Sequence, residues 1–186
     1  MLDLTAKRGL IFRICHINNL DWHIRNGLVC KNSILKNERF ISIGNKDLIE
    51  NRIKRRVPIH PFGTLSDYVP FYFAPSSVMM YNIKTGFNGI EKRQNSELII
   101  FVSSIHKLIE LEIPFVFTDR HAYLATANFY SKSEHLNNID WKILQERDFK
   151  RDNEDLEKME RYQAEALVYN ILPVAALLGV VCYNDD

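Results

Sequence analysis

Short apolar runs recur along the chain, and polar segments separate them. Several of these runs are rich in β-branched and aromatic residues, a composition typical of buried strands. They span residues 10–15, 68–74, 98–103, 114–118, 164–168 and 179–183, and the run LIIFVS at 98–103 is the strongest strand signal. A shorter extended piece is predicted at 28–30. The pattern therefore predicts a sheet of short strands.

Apolar residues at helical spacing occupy much of the chain between these runs. The predicted helices are residues 20–25, 46–55, 78–83, 104–111, 122–130 and 156–162, with one more helical turn within 172–178. We expect Asn18 or Asn19 to cap the first helix and Gly27 to follow its end. The second should end before Pro58, since a residue that precedes proline avoids the helical region. Strands dispersed between short helices predict a mixed α+β fold.

Residues 131–155 break this pattern, because they are mostly polar and charged. Trp141 and Ile143 stand there as isolated apolar anchors. The segment can be interpreted as a mobile, lid-like excursion or as a long surface loop.

Length and composition describe an ordinary globular protein. The 186 residues suffice for one sizeable domain over 1–186, and 46% hydrophobic with 25% charged residues is a common balance. The three cysteines form no CxxC pair, which favours a reducing cytoplasm over a disulfide framework. The N-terminal residues contain no long apolar run, so we expect a soluble cytoplasmic protein without membrane attachment.

The net charge of +1 places any affinity for polyanions in local clusters. The densest cluster is Arg52, Lys54, Arg55 and Arg56, within the stretch 41–73. A loop with Pro58, Pro61 and Gly63 follows it, and then the aromatic run 68–73. Cations beside a rigid turn and aromatic rings suit a phosphorylated ligand with a flat base. A surface basic patch beside an ordinary core strand is the other interpretation.

Glu165 is the most pointed single candidate for chemistry. If residues 156–167 formed one helix, Glu165 would lie opposite the apolar stripe and face solvent. If 164–168 is a strand, its carboxylate is fixed beside apolar neighbours, which is costly unless the group is paired or used.

His16 and His121 each follow a predicted strand, where mixed folds gather ligands. A structural role is the alternative for both. The chain contains no HExxH, P-loop, GxGxxG or GxSxG motif. We therefore expect neither a metal site nor a common nucleotide-binding or serine-hydrolase site.

A series of short motifs resembles the DarT family, toxin ADP-ribosyltransferases that modify single-stranded DNA. The matching segments, in family order, are RICHINNL (13–20), 41–44 with Arg52, RVPI (56–59), GTLSDYVPFYFAP (63–75), MYNIKTG (80–86), FTDRHA (117–122), IDW (139–141) and QAEALV (163–168). Each motif is weak alone, but eight in order over nearly the whole chain make a specific match.

The resemblance implies an ADP-ribosyltransferase-like α+β domain with a central split sheet and short flanking helices. It also implies NAD as co-substrate, no metal, and transfer of ADP-ribose to a base of single-stranded DNA, thymine in the better-known branch, which blocks replication. By position, Glu165 and Arg52 match the catalytic residues. His16, Ile17, Asn18 and Gly27 match the stretch that holds the nicotinamide end, and Arg52 also belongs to the NAD-binding element, about 38–54. The segment 121–165 matches the loop that receives the DNA base.

The residues expected to contact DNA combine aromatic or thioether surface for stacking with cations for the backbone. They are Tyr68, Tyr72, Met79, Arg93, Arg120 and His121. One departure from the family stands near PSSVMM, where we expect an arginine and find Ser76 and Ser77.

Two alternatives stay open. The acceptor could be guanine or another nucleic acid, or the chain could be a non-catalytic nucleic-acid-binding module that uses residues 52–56. The family also implies a partner, DarG, an antitoxin whose macrodomain removes the modification.

Overall fold

The computed structural model describes residues 3–183. Within this range the strands are β1 (Leu10–His16), β2 (Leu28–Val29), β3 (Tyr68–Tyr72), β4 (Leu98–Ser104), β5 (Phe115–Thr118), β6 (Phe129–Tyr130), β7 (Glu165–Tyr169), β8 (Ile171–Leu172) and β9 (Gly179–Val181). The helices are α1 (Leu20–Asn26), α2 (Lys46–Asn51), α3 (Val78–Thr85), α4 (Ile105–Glu110), α5 (Trp141–Glu146) and α6 (Lys158–Arg161), joined by short 3-10 turns. The α+β class predicted from the sequence is confirmed, and one domain over 1–186 stays a prediction.

The main sheet has the strand order β6-β5-β7-β3-β1-β4-β9, and every neighbouring pair is antiparallel. β1 and β4 pair over the whole length from Leu10–Ser104 to His16–Leu98. β3 and β7 pair from Tyr68–Tyr169 to Tyr72–Glu165. A separate small sheet joins β2 to β8.

The main sheet is split between β1 and β3. These strands share a single matched position, Phe12 with Tyr72. Pro70, two residues before Tyr72 in β3, has no N–H to donate, and its carbonyl accepts a bond from Arg13 Nη1 at 2.9 Å. At this position the Arg13 side chain, and not a backbone N–H of β1, bonds to β3. The regular hydrogen bonding between β1 and β3 is therefore interrupted, and the sheet is divided there into two halves. The split sheet expected from the resemblance is present.

The core consists of the apolar side chains that the strands turn inward. The largest fully buried side chains include four phenylalanines: Phe71 in β3, Phe73 just after β3, Phe101 in β4 and Phe117 in β5. The runs at 10–15, 98–103 and 114–118 are therefore strands, as the sequence predicts. The apolar and aromatic composition of these segments was sufficient to identify them.

The predicted helix at 122–130 is wrong. That segment consists of turns followed by β6. Asp119 accepts bonds from the backbone N–H and side chain of Asn128 at 3.1 and 2.8 Å, and these contacts close the segment into a loop. Helical spacing over so few residues was overridden by contacts between the ends of the segment.

Residues 131–155 are more ordered than a plain surface loop. They contain a 3-10 turn, Ser133–Asn138, and α5. Leu136, Ile139 and Leu144 join Ile143 in the core, with exposed fractions of 7% or less. The first half of the segment is therefore packed onto the sheet, and Ile143 is not an isolated anchor.

Candidate active site

Glu165 is the first residue of β7, and its exposed fraction is 2%. It lies directly across from Tyr72 on β3, next to the split. The strand interpretation of 164–168 is thus confirmed, and the single helix over 156–167 is excluded. A buried carboxylate at the split of the sheet needs partners to compensate its lost hydration.

Arg52 supplies the charged partner. It stands in a 3-10 turn (Arg52–Lys54) that continues α2, so the predicted helix ends earlier than residue 55. Arg52 Nη1 lies 2.9 Å from Glu165 Oε2, and the arginine itself is only 9% exposed. Its second terminal nitrogen, Nη2, is buried and has no hydrogen-bond partner among residues 3–183.

The loop after β5 supplies two more contacts to the same carboxylate. The Ala122 N–H donates to Glu165 Oε1 at 3.1 Å, and His121 Nδ1 lies 3.5 Å from that oxygen. Burial alone would raise the pKa of Glu165, but the Arg52 charge and the Ala122 amide outweigh it and hold the pKa below its ordinary value. The carboxylate is therefore ionised at neutral pH.

The His121 ring accepts a bond at Nδ1 from the backbone N–H of Tyr123, at 3.1 Å. A neutral imidazole that accepts at Nδ1 carries its proton on Nε2. His121 therefore has its N–H donor at Nε2, while Nδ1, the nitrogen 3.5 Å from Glu165 Oε1, accepts from Tyr123.

A cleft runs through the split and extends beneath the loop 31–45. It consists of a cavity of about 310 Å³ and a neighbouring cavity of about 130 Å³. Both are lined by Arg13, Phe40, Ser42, Ile49, Arg52 and Pro70. The larger cavity adds Trp22, Leu65, Ser66 and Tyr68, and the smaller adds Tyr72, Met79 and Glu165. Arg52 thus lies between the larger, mainly apolar cavity and the Glu165 carboxylate.

Three residues that line the larger cavity carry buried polar atoms that find no hydrogen-bond partner in the described part of the chain: Arg13 Nε, Arg52 Nη2 and Ser66 Oγ. Each of these atoms can donate a hydrogen bond. Buried donors are normally satisfied, so three unsatisfied donors in residues that line one cavity are consistent with a site for a ligand rich in acceptor oxygens. Burial lowers the pKa of Arg13, as does the nearby charge of Arg52.

Asn19 is a functional candidate that the sequence did not single out. It occupies the N-cap position of α1 but makes no capping bond there. Its amide instead donates to Ile41 O at 2.8 Å and accepts from Ile41 N–H at 3.0 Å, and the residue is completely buried. This two-point bond fixes the part of the loop 31–45 that lines both cavities. The sequence reads Asn19 only as a helix cap, because its partner is 22 positions away.

The residues predicted to hold the nicotinamide end lie beside the cleft, and none of the four lines either cavity. His16 Nδ1 accepts from the Asn18 N–H at 3.1 Å, while its Nε2 lies 3.6 Å from Glu97. Ile17 packs on the core, and Asn18 is exposed. Their contact with NAD stays a prediction.

Gly27 has a structural requirement of its own. Its φ is +75°, and a Cβ at this position would stand 2.7 Å from Leu172 O in the small sheet. Glycine is needed for both the backbone angle and this close approach. Gly27 does follow α1, with ψ of −178°, so its conformation is not that of a left-handed cap.

Among the residues predicted to contact DNA, the structure brings Tyr72, Met79 and His121 together at Glu165. The Tyr72 hydroxyl lies 3.8 Å from Met79 Sδ, and both residues line the smaller cavity. Burial, with a further effect of Glu165, raises the pKa of Tyr72, so its phenol stays protonated.

The other three have internal partners. Tyr68 is 1% exposed and donates to Phe62 O at 2.6 Å. Arg93 pairs with Glu91 and Glu97, at 2.7 and 3.2 Å. The Arg120 guanidinium contacts carboxylates at 3.1 to 3.6 Å, those of Asp119, Glu157 and Glu160. Their predicted contact with DNA would have to replace or share these bonds.

Neither a metal centre nor a membrane span is evident in residues 3–183. This range holds no group of three or more His, Cys, Asp or Glu side chains that could bind a metal ion. It also contains no helix with the length and apolar character that crossing a membrane requires.

Comparison with known proteins identifies the family. A model described as "ssDNA thymidine ADP-ribosyltransferase, DarT" matches residues 12–186. A DNA ADP-ribosyl transferase of Escherichia coli is 47% identical over 184 residues, 99% of this chain and 84% of the relative. One of Thermus sp. (strain 2.9) is 37% identical over 176 residues, 94% of this chain and 81% of the relative.

Solved structures agree. Thermus sp. 2.9 DarT in complex with ADP-ribosylated ssDNA has a TM-score of 0.88 at 34% identity, over 100% of this chain and 86% of that one. The same protein in complex with NAD+ has a TM-score of 0.81 at 34% identity, with 96% and 84% covered. This chain belongs to the DarT family.

Proposed function

We propose that this protein transfers ADP-ribose from NAD to a thymine base of single-stranded DNA and releases nicotinamide. The observation that carries the proposal is the Arg52–Glu165 pair, which is buried at the split of the sheet and opens onto a cleft with unpaired donors. Family membership supports the same reaction, and the Thermus protein of this family binds NAD+ and ADP-ribosylated DNA.

The cleft fits NAD in its donors and its apolar surface. The free donors of Arg13, Arg52 and Ser66 suit the diphosphate, and Arg52 can bind it with charge assistance. Trp22 and Phe40 offer rings against which a flat base can pack. His16, Ile17, Asn18 and Gly27 are proposed to shape the nicotinamide end from the wall beside the cleft.

NAD supplies a glycosidic bond to nicotinamide whose cleavage leaves positive charge on the ribose, as in glycoside hydrolysis. Glu165 is ionised and held by Arg52 and the Ala122 amide, so it can stabilise that charge without reorganising. A charge pair at about 4 Å and an effective dielectric near 20 is worth roughly 4 kcal/mol. That energy corresponds to roughly a thousandfold in rate.

In this proposal Arg52 orients the substrate and balances the negative charge of Glu165. Its guanidinium keeps its protons at any physiological pH, so it is poorly suited to remove a proton from the acceptor base. With Nη1 on Glu165 and Nη2 free, it can bridge the carboxylate and a substrate oxygen at once.

The acceptor base is proposed to enter beside Tyr72, Met79 and His121. Tyr72 and Met79 provide ring and thioether surface, and the His121 Nε2–H can donate to a carbonyl of thymine. The bound DNA strand is proposed to contact three more residues farther from the acceptor base: Tyr68, Arg93 and Arg120. Each of the two arginines would exchange an ion pair with a carboxylate for one with a DNA phosphate.

The test is mass spectrometry of mixed-sequence single-stranded DNA after incubation with the protein and NAD. We expect one ADP-ribose on thymine, in thymine-only but not guanine-only oligonucleotides. An adduct on guanine would change the acceptor and keep the reaction. Salt-sensitive binding of oligonucleotides without nicotinamide release would contradict the enzyme and favour a binding module.

We also propose a DarG-type macrodomain antitoxin as partner and the cytoplasm as the site of action. Family membership supports the partner. The three cysteines are free, which suits a reducing compartment. Co-expression with and without such a macrodomain protein would test the partner through the growth of the host.

A further inference from the structure

The basic cluster at 52–56 contains a second arginine whose side chain is used inside the protein. Arg55 Nη2 donates to Leu124 O at 2.8 Å, and Arg55 Nε lies 3.4 Å from Ala122 O. The guanidinium also covers the Phe129 ring, with Cζ 5.8 Å from the ring centroid. Arg55 is therefore not a solvated charge, in contrast to its exposed neighbour Arg56.

The loop that Arg55 holds is the one that supports the catalytic carboxylate. Ala122 donates its N–H to Glu165 Oε1, and its carbonyl oxygen accepts from Arg55 Nε. The Leu124 N–H donates to the His121 carbonyl at 3.0 Å. The hydrogen bond from Arg55 to Leu124 O therefore also restrains the backbone of His121.

Arg55 and Arg52 belong to the same turn. The Arg55 N–H donates to Arg52 O at 3.2 Å, and this bond closes the turn that carries both arginines. Arg52 reaches Glu165 from this turn, and Arg55 reaches the 121–124 loop. A single turn thus connects the NAD side of the site with the loop at the acceptor side.

We propose that Arg55 is a positioning residue that couples the Arg52 turn to the 121–124 loop, and so keeps His121 and the Ala122 N–H in place for the acceptor base. The inference rests on the proposed transfer to DNA and specifies a residue for it. Because a group displaced by about 1 Å can cost roughly a hundredfold in rate, a loosened loop should impair transfer strongly.

The experiment compares Arg55→Lys and Arg55→Gln with Arg56→Gln, which removes the same charge one residue away and measures the purely electrostatic effect on DNA. We expect both Arg55 variants to lower kcat/KM for DNA by about 10- to 100-fold, with the KM for NAD close to that of the wild type. Lysine keeps the charge but cannot span two carbonyls with a planar fork, so it should not rescue.

Hydrogen exchange of the substrate-free protein gives a second measurement that needs no activity. Exchange of the amides in 121–128 should be faster in both Arg55 variants and unchanged in Arg56→Gln. Normal exchange there, full activity of Arg55→Lys, or a loss no larger than that of Arg56→Gln would each overturn the inference. A thermal melt corrects the rates for unfolded protein, and a loss explained wholly by unfolding would also overturn it.

The two proposals fail separately. If the wild type makes no DNA adduct, the proposed function falls. The exchange of the 121–128 amides would then still decide whether Arg55 holds the loop, and unchanged exchange would reject that too.

Discussion

Arg52 and Glu165 are 113 positions apart in the chain, and Arg52 Nη1 donates to Glu165 Oε2 at 2.9 Å. Both side chains are buried. Neither charge could be buried alone without a cost of several kcal/mol. Each residue therefore makes the burial of the other possible. The unpaired Nη2 of Arg52 shows that the pair leaves hydrogen-bonding capacity for a third group.

Replacing Glu165 by Gln should lower the rate of ADP-ribose transfer by about a thousandfold, because a neutral amide cannot stabilise positive charge on the ribose. The side-chain volume is retained and the oxygen can still accept one hydrogen bond. We expect the free energy of unfolding to fall by several kcal/mol, because the substitution leaves the Arg52 charge buried without its ionic partner. Transfer is measured with labelled NAD, and stability by urea unfolding.

A suitable control for this substitution is Glu110→Gln. Glu110 is exposed and pairs with Lys107 on α4. It should leave transfer at the level of the wild type. Rapid transfer by a folded Glu165→Gln protein would show that another group stabilises the reacting ribose.

Replacing Arg52 by Lys separates charge from geometry. An ammonium group can still pair with Glu165, but it lacks the planar fork that serves a second partner from Nη2. Loss of one charge-assisted bond, about 1.5–3 kcal/mol, predicts a fall in kcat/KM for NAD of roughly 10- to 150-fold. Steady-state kinetics with NAD varied would measure it, with Arg8→Lys on the surface as control. Substantial retained transfer would mean that bidentate recognition is not needed.

The strands were predictable because their signals are local, and the run LIIFVS identifies β4. The residues around Glu165 left both a helix and a strand open, and the structure places it on β7; its assignment as catalytic came only from the resemblance to the family. The loop at 122–130 was not predictable, since the Asp119–Asn128 contact that closes it has no local signature. For the same reason the sequence could not show that the Arg55 side chain binds a backbone carbonyl of the protein, that of Leu124.

His23 should make the stability of the fold depend on pH. Its ring lies 3.3 Å from Cys15 Sγ and 3.2 Å from Gly27 O, and burial lowers its pKa to about 4. Between that value and 6.5, the unfolded chain binds a proton at His23 and the folded protein does not. The free energy of unfolding should therefore fall by up to about 3 kcal/mol as the pH drops from 7 toward 4.

The substitution His23→Gln removes this titration and leaves the other acidic and basic groups in place. Urea unfolding of both proteins at several pH values isolates the contribution of His23 as the difference between two curves. The wild type should lose more stability than the variant on acidification. Parallel curves would show that the imidazole is not held neutral by the fold.

The two-point bond between Asn19 and Ile41 predicts a substitution that acid should rescue. In Asn19→Asp the ionised carboxylate faces Ile41 O without a donor, so the loop 31–45 should loosen and the KM for NAD should rise by about tenfold. A protonated Asp again has one donor and one acceptor, and burial raises the pKa of such a group. The ratio of KM between variant and wild type should then approach one as the pH is lowered from 8 to 5.5. A ratio that stays constant over this range would contradict a role for the Asn19 donor. An Asn88→Asp variant, altered at an exposed residue that lines neither cavity, controls for added negative charge.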